Sequence, residues 1–314
     1  MVATIVTLTL NPSVDRFLEV PRLTLNEVNR AVRVRSAPGG HGLQVAWGVR
    51  TLGGESAAVF VCGGESGRQL VQSFSSAGVS VRPVWTSEPT RQNVDIIDLA
   101  TREHTRVHEP GATVGRRLLE EVEEAFFELA EGAYSIVIGG SLPPGVDKRY
   151  YAQLARKAAQ RGFAVVADAT PDALAEIIQA RPFLVKPDQE QTEALLGRLL
   201  YAADEFALAA KEIAQRGAQW AIVSIGRLGG FCSDGSRCYH YYGPAVEAQN
   251  AVGVGDAFLA GLLTALQQHK PMQEALALGA GAGTACAQSD EGPFFSAELA
   301  RQLAEEVRVE EMAL

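Results

Sequence analysis

Gln249-Asn-Ala-Val-Gly-Val-Gly-Asp-Ala-Phe-Leu-Ala-Gly261 sets two glycines, one residue apart, directly before an aspartate and an apolar run. Glycine is costly at the mouth of a helix unless the backbone must turn sharply or something must approach it closely. The spacing predicts a Gly253-Val-Gly255 loop that opens a helix carrying Phe258, Leu262 and Leu266. Backbone N–H groups at such a start point outward and the helix dipole adds partial positive charge, so the turn suits an anion. Asp256, in the first turn, then stands where it can take a proton from an attacking hydroxyl. The same spacing equally serves an aspartate that only caps its own helix.

Around this turn, short β-branched runs alternate with longer helical patterns. Strands are expected at Thr4–Leu10, Ala57–Cys62, Ser135–Gly139, Ala164–Asp168, Phe183–Lys186 and Trp220–Ile225. Most are continuously apolar, as in a parallel sheet covered on both faces. Asp204 is expected to N-cap a helix with Phe206, Ala209, Ala210 and Ile213 on one face, stopped by Gly217. The alternation implies an α/β fold: a doubly wound, mostly parallel sheet with helices on both faces. Residues 15–35 and 91–108 break it by alternating polar and apolar side chains, as in Asn93-Val-Asp-Ile-Ile-Asp-Leu99. They predict a small antiparallel β lid or oligomer contact, leaving 1–14, 36–90 and 109–314 to the main domain.

The chain has 314 residues, enough for one large domain or two, and a formal net charge of -9. That balance argues against nucleic acid as a partner, although a few local cations suffice for a small anionic ligand. No stretch approaches the roughly 20 apolar residues that span a bilayer. The run Met1–Leu10 lacks a basic leader and enters Asn11-Pro12, so it reads as a strand rather than a secretion signal. Cys62, Cys232, Cys238 and Cys286 are scattered, and the five histidines show no metal-ligand spacing. The expectation is a reduced, cytoplasmic protein with no membrane partner and no metal cage.

Eight motifs occur in one order: "TLTLNPSVD" at Thr7–Asp15, "PGGHGLQVA" at Pro38–Ala46, "TRQN" at Thr90–Asn93, "HEPGA" at His108–Ala112, "GGSLPPGV" at Gly139–Val146, "FLVKPD" at Phe183–Asp188, "VSIGRLGG" at Val223–Gly230 and "VGVGD" at Val252–Asp256. Together they resemble the ribokinase-like (PfkB) carbohydrate kinases, in the branch of 1-phosphofructokinase, tagatose-6-phosphate kinase and the minor 6-phosphofructokinase. The likeness runs from Thr4 to about Gln288. It implies an ATP- and Mg²⁺-dependent kinase of a phosphorylated ketohexose, dimeric through its β lid. Asp256 matches the catalytic base, and Gly253, Val254 and Gly255 match the anion hole. Asp15, Gly39, Gly40, His41, Gln44, Arg91 and Asn93 match substrate positions. Lys186, Asp188, Ser224, Gly226 and Gly229 match the nucleotide side, with Asp188, Glu190 and Gln191 as candidates to order the waters of an Mg²⁺ carried by the nucleotide. By residue type alone, Asp15 is better read as closing a turn, Arg91 equally sits solvated on its strand, and Gly229 suits a surface turn.

Four positions depart from the family. Its frequent Gly-Gly-Lys-Gly is Gly39-Gly-His-Gly42, so a fixed cation becomes one that titrates near neutrality. At least one member manages without that lysine. The usual asparagine is Gln44, the Asn-x-x-Glu motif is Asp188-Gln-Glu-Gln191, and Gly-Ala-Gly-Asp is Gly253-Val-Gly-Asp256. "LNEVNR" at Leu25–Arg30 resembles 1-phosphofructokinase lids and favours fructose 1-phosphate; "TRQN" and the lysine-free loop favour fructose 6-phosphate. The departures keep two other readings open: a kinase of an unphosphorylated sugar or nucleoside, and a sugar-phosphate-binding protein with weakened catalysis.

Overall fold

Residue-by-residue alternation along the apolar strands sends neighbouring side chains to opposite faces, and both faces are covered. In the computed structural model, which describes residues 3–249, 251–290 and 293–312, the chain opens with β1 (Ile5–Thr9), β2 (Ser13–Val20), β3 (Arg33–Gly39) and α1 (His41–Thr51). Asn250 of the glycine motif lies outside the described residues. Next come β4 (Ser56–Cys62), α2 (Gly64–Ser76), β5 (Ser80–Trp85), β6 (Arg91–Asp98) and β7 (His104–Val107). The middle of the chain forms α3 (Arg116–Leu129), β8 (Ser135–Gly139), α4 (Tyr150–Gln160), β9 (Val165–Asp168), α5 (Pro171–Ile178), β10 (Leu184–Val185) and α6 (Gln189–Leu196). It ends with α7 (Ala203–Gln215), β11 (Trp220–Ser224), β12 (Gly230–Ser233), β13 (Cys238–Tyr242), α8 (Val254–Gln267), α9 (Met272–Gln288), α10 (Ala297–Glu306) and β14 (Arg308–Met312).

The main sheet runs β14-β13-β12-β11-β10-β9-β8-β1-β4-β5, parallel from β5 through β11 and antiparallel over the last three strands. From β1 the chain winds outward through β4 and β5, then returns to β8 on the other side. That reversal leaves a crevice beyond the carboxyl ends of β1 and β8. Ile136 and Ile138 pack against the α3–α4 side, while Val137 between them packs against α8 and α9.

All six expected strands are present, each within one residue at either end. Pro182 and Pro187 bracket the shortest, β10, and deny it further ladder donors. Sequence reading missed β5, β12, β13 and β14, which form the two rims of the sheet. The N-cap of α7 is Ala202, not Asp204. Glu205 does the capping, accepting from the N–H groups of Tyr201 and Ala202 at 2.7 and 3.0 Å, because the longer carboxylate at the third helical position reaches back.

The second sheet has the order β3-β2-β6-β7. Its outer pairs are antiparallel and its central pair, β2 with β6, is parallel. β2 follows β1 and β6 follows β5, both leaving carboxyl ends of the main sheet, so they rise side by side in one direction.

Helices α8 and α9 pack closely enough that a Cβ on Gly261 would lie 2.5 Å from the Leu278 carbonyl oxygen and 2.9 Å from the Gly279 Cα. Alanine gains about 1 kcal/mol over glycine inside a free helix, but backbone overpacking costs about 1–3 kcal/mol. Gly261→Ala is therefore expected to lower the urea midpoint, and a raised midpoint contradicts the packing.

Candidate active site

The crevice at the strand reversal holds a cleft of ≈ 250 Å³. Asp15, Gly40, His41, Gln44, Arg91, Asn93, Gly253 and Asp256, all singled out in the sequence, line it. Gly39 adjoins it at the end of β3. The nucleotide-side positions Lys186, Asp188, Ser224, Gly226 and Gly229 lie along the ends of β10 and β11.

Gly253 is the N-cap of α8 in the left-handed region, φ 78, and a Cβ there would sit 2.5 Å from Pro293 Cβ. Only glycine meets both demands without strain. The loop is two residues shorter than the spacing suggests, because Val254 and Gly255 already belong to the helix. The first intrahelical bond runs from the Ala257 N–H to the Gly253 carbonyl at 2.8 Å. The N–H groups of Val254, Gly255 and Asp256 thus precede the ladder and form a cradle for an anion.

Asp256 does not cap its helix. Its Oδ1 meets His41 Nδ1 at 2.5 Å, with both side chains mostly buried. His41 is the first residue of α1, whose start is pressed against β1: the Leu43 N–H donates to Thr9 Oγ1 at 3.0 Å. A Cβ on Gly42 would lie 2.7 Å from the Leu8 carbonyl oxygen, so glycine permits that approach. The ring therefore faces Asp256 from the expected substrate loop.

Asp168 and Lys186 end neighbouring strands and meet at 2.6 Å, with side chains 16% and 6% exposed. Burial pushes the Asp168 carboxyl up, yet Lys186 and His41 outweigh it and hold its pKa below the ordinary value. Burial pulls the Lys186 ammonium down, yet Asp168 outweighs it and raises its pKa. Asp168 was assigned no role from sequence. The signal was a charged residue ending the otherwise apolar run Val165-Val-Ala-Asp168, as Lys186 ends the next strand.

On the lid side, Asp15 lies within β2 and closes no turn. Its Oδ1 accepts from Ser13 Oγ and Asn93 Nδ2, each at 2.7 Å, across the parallel β2–β6 register. Arg91 is not a solvated strand residue. Its guanidinium donates to the carbonyls of Asn11 and Glu109 at 3.0 Å each and of Pro12 at 3.4 Å. These bonds fix its charge at the cleft wall.

Asp188 and Gln191 form a capping box at the start of α6. Asp188 Oδ1 accepts from the Gln191 N–H at 2.8 Å, and Gln191 Oε1 accepts from the Asp188 N–H at 2.9 Å. Exchanging carboxylate and amide preserves this reciprocal geometry, which accounts for the departure from Asn-x-x-Glu. Gly229 takes φ 84 in the turn from β11 to β12, where a side chain would strike the backbone of Tyr241 and Tyr242.

Removing one partner of a buried ion pair leaves an uncompensated charge, at a cost of about 3–5 kcal/mol. Lys186→Met is expected to lose that much in urea unfolding, and Asp168→Leu/Lys186→Met to regain most of it. Additive losses in the double variant would show that the two side chains do not act as a pair.

The chain is similar to known carbohydrate kinases. A profile described as pfkB family carbohydrate kinase matches residues 8–294. The chain is 34% identical to the ATP-dependent 6-phosphofructokinase isozyme 2 of Escherichia coli K12, over 90% of this chain and 91% of that one. It is 29% identical to the 1-phosphofructokinase of Bacillus subtilis, over 97% and 99% of the two chains. The crystal structure of E. coli phosphofructokinase-2 with substrates and products superposes with a TM-score of 0.90 at 30% identity, covering 96% of this chain and 98% of the other. A family profile spanning most of the chain, over a crevice built at the strand reversal, makes this protein a member of the pfkB family of carbohydrate kinases.

Proposed function

We propose that this chain transfers the terminal phosphoryl group of ATP to a hydroxyl of a phosphorylated ketohexose, fructose 1-phosphate foremost. The observation that carries the reading is the place of Asp256: in the first turn of α8, in a cleft shared with Asp15, Asn93 and Arg91. In this reading Asp15, Asn93, Gln44 and the backbone of Gly39 and Gly40 bind the sugar hydroxyls, and Arg91 offers a fixed positive charge to the substrate phosphate. Asp256 accepts the proton of the attacking hydroxyl. The N–H groups following Gly253 meet the charge spread over the phosphoryl oxygens. Lys186, Ser224, Gly226 and Gly229 serve the nucleotide.

Among the described residues, no group of three or more His, Cys, Asp or Glu side chains converges as a metal cage. Mg²⁺, when bound, neutralises charge between nucleotide phosphates and keeps much of its water, so the donors here fit an ion carried by ATP. Asp188 and Glu190 are exposed at the start of α6, where they can order such waters; the Gln191 amide is committed to the capping box and to the Ala169 carbonyl.

The likeness of Leu25–Arg30 to 1-phosphofructokinase lids favours fructose 1-phosphate. Fructose 6-phosphate is the second reading, favoured by the "TRQN" stretch and by the E. coli relative. We read the small sheet as a lid that also joins two subunits. Leu25, Val28 and Val32 in its β2–β3 connection, and Val34 and Val107 on its strands, are all more than half exposed. A second copy of the same face would cover them. A cytoplasmic location belongs to the same reading, and all four cysteines are buried with no disulfide between them.

ADP release with Mg·ATP, measured against fructose 1-phosphate, fructose 6-phosphate, tagatose 6-phosphate, fructose and adenosine, tests the activity. Turnover on fructose 1-phosphate is expected, with Asp256→Asn lowering kcat by about 10²–10⁴-fold. A preference for fructose 6-phosphate moves the assignment to the second reading, and silence on every phosphorylated ketose overturns it. Sedimentation at micromolar concentration is expected to give a dimer that Val28→Glu/Val34→Glu splits into monomers. A wild-type monomer, with or without ligands, removes the subunit contact from the proposal.

A further inference from the structure

Four ionisable groups share one buried site under the start of α8. Asp168 and Lys186 form one pair, His41 and Asp256 the other. The place a Cβ on Gly255 would take lies 3.4 Å from Lys186 Nζ, so the lysine reaches up to the anion cradle itself. The charged groups acting on the His41 ring are Asp256 from α8, Asp168 from the end of β9 and Lys186 from the end of β10. With a neutral imidazole, two carboxylates face one ammonium and the cluster carries a net negative charge. With an imidazolium the cluster is neutral.

That difference matters because a polyanionic phosphoryl group has to reach the N–H groups of Val254, Gly255 and Asp256. A unit charge in a mostly buried site is screened much less than one in bulk water. We infer that the charge on His41 gates this approach: the imidazolium balances the cluster and admits the phosphoryl group, and the neutral ring leaves a negative charge that repels it. The inference rests on the kinase reading above.

Two features separate this role from plain packing. His41 Nδ1 engages one carboxylate oxygen of Asp256 and leaves the other to an acceptor hydroxyl, so the ring also positions the base. Its Nε2 is buried without a hydrogen-bond partner, whereas a histidine kept for structure normally spends both nitrogens. Burial pulls the His41 pKa down, but Asp256 and then Asp168 outweigh it and, against Lys186, raise it above 6.5. The proton is therefore held to higher pH than on a free imidazole. Phosphate groups titrate near pH 6, so a change that follows the His41 ring at higher pH is not theirs.

The test is Mg·ATP binding by calorimetry without sugar, between about pH 6 and pH 9.5, on wild type, His41→Gln and His41→Lys. Ring-nitrogen NMR of His41 in wild type and Asp256→Asn accompanies it. Wild-type Kd is expected to rise about tenfold or more through the pH at which NMR sees His41 lose its proton. That pH should fall in Asp256→Asn. His41→Gln should bind at the weak alkaline level throughout, and His41→Lys, a fixed cation, should keep tight binding to higher pH. If His41→Gln follows the wild-type curve, or His41 titrates with no change in Kd, the inference is overturned while the kinase reading stands. If no protein binds Mg·ATP at any pH, the kinase reading falls and takes the inference with it.

Discussion

Two opposite charges meet at the buried carboxyl ends of adjacent parallel strands, and the site depends on their balance. Asp168 and Lys186 leave β9 and β10 at the same height. Neither is tolerable there alone, because an ion taken out of water needs a partner to remain charged. Strand register brings the two side chains together. Their pairing keeps a cation under the first turn of α8, and that turn carries the N–H groups for an anion. The doubly wound topology supplies the place, since reversal between β1 and β8 opens a crevice at the ends from which these charges project.

Much of this was legible in the chain. Six apolar runs gave the interior strands to within a residue, because strands covered on both faces have no polar alternation to confuse them. The edge strands β5 and β14 were not, because their sequences answer to water: β5 carries Arg82 and Pro83, and β14 is Arg-Val-Glu-Glu-Met. The anion turn could be found because Gly253 is demanded by local backbone geometry, and local demands leave local marks.

Pairings across the fold leave no such mark. His41 and Asp256 are 215 positions apart, and nothing near either one announces the other. The Asp188–Gln191 exchange is a departure from the family when read along the chain, although as a reciprocal cap the pair is intact. Asp204 suits the start of α7 by residue type, yet Glu205 caps it, because the longer side chain reaches back. In each case the missing information was a partner, not a residue type.

The parallel β2–β6 pair at the centre of the lid makes the small sheet a lever. Asp15 and Asn93 ride on it, side by side, while Asp256 stays with the main sheet. Both central strands are rooted in the main domain, through the few residues after β1 and after β5. Tilting the lid therefore carries Asp15 and Asn93 together and changes their distance from Asp256 without bending either sheet. Arg91, tied to the carbonyls of Asn11 and Pro12, sits at the pivot. In the kinase reading proposed above, a contact on the outer face of the lid, far from the cleft, would thereby set how near an acceptor hydroxyl comes to Asp256.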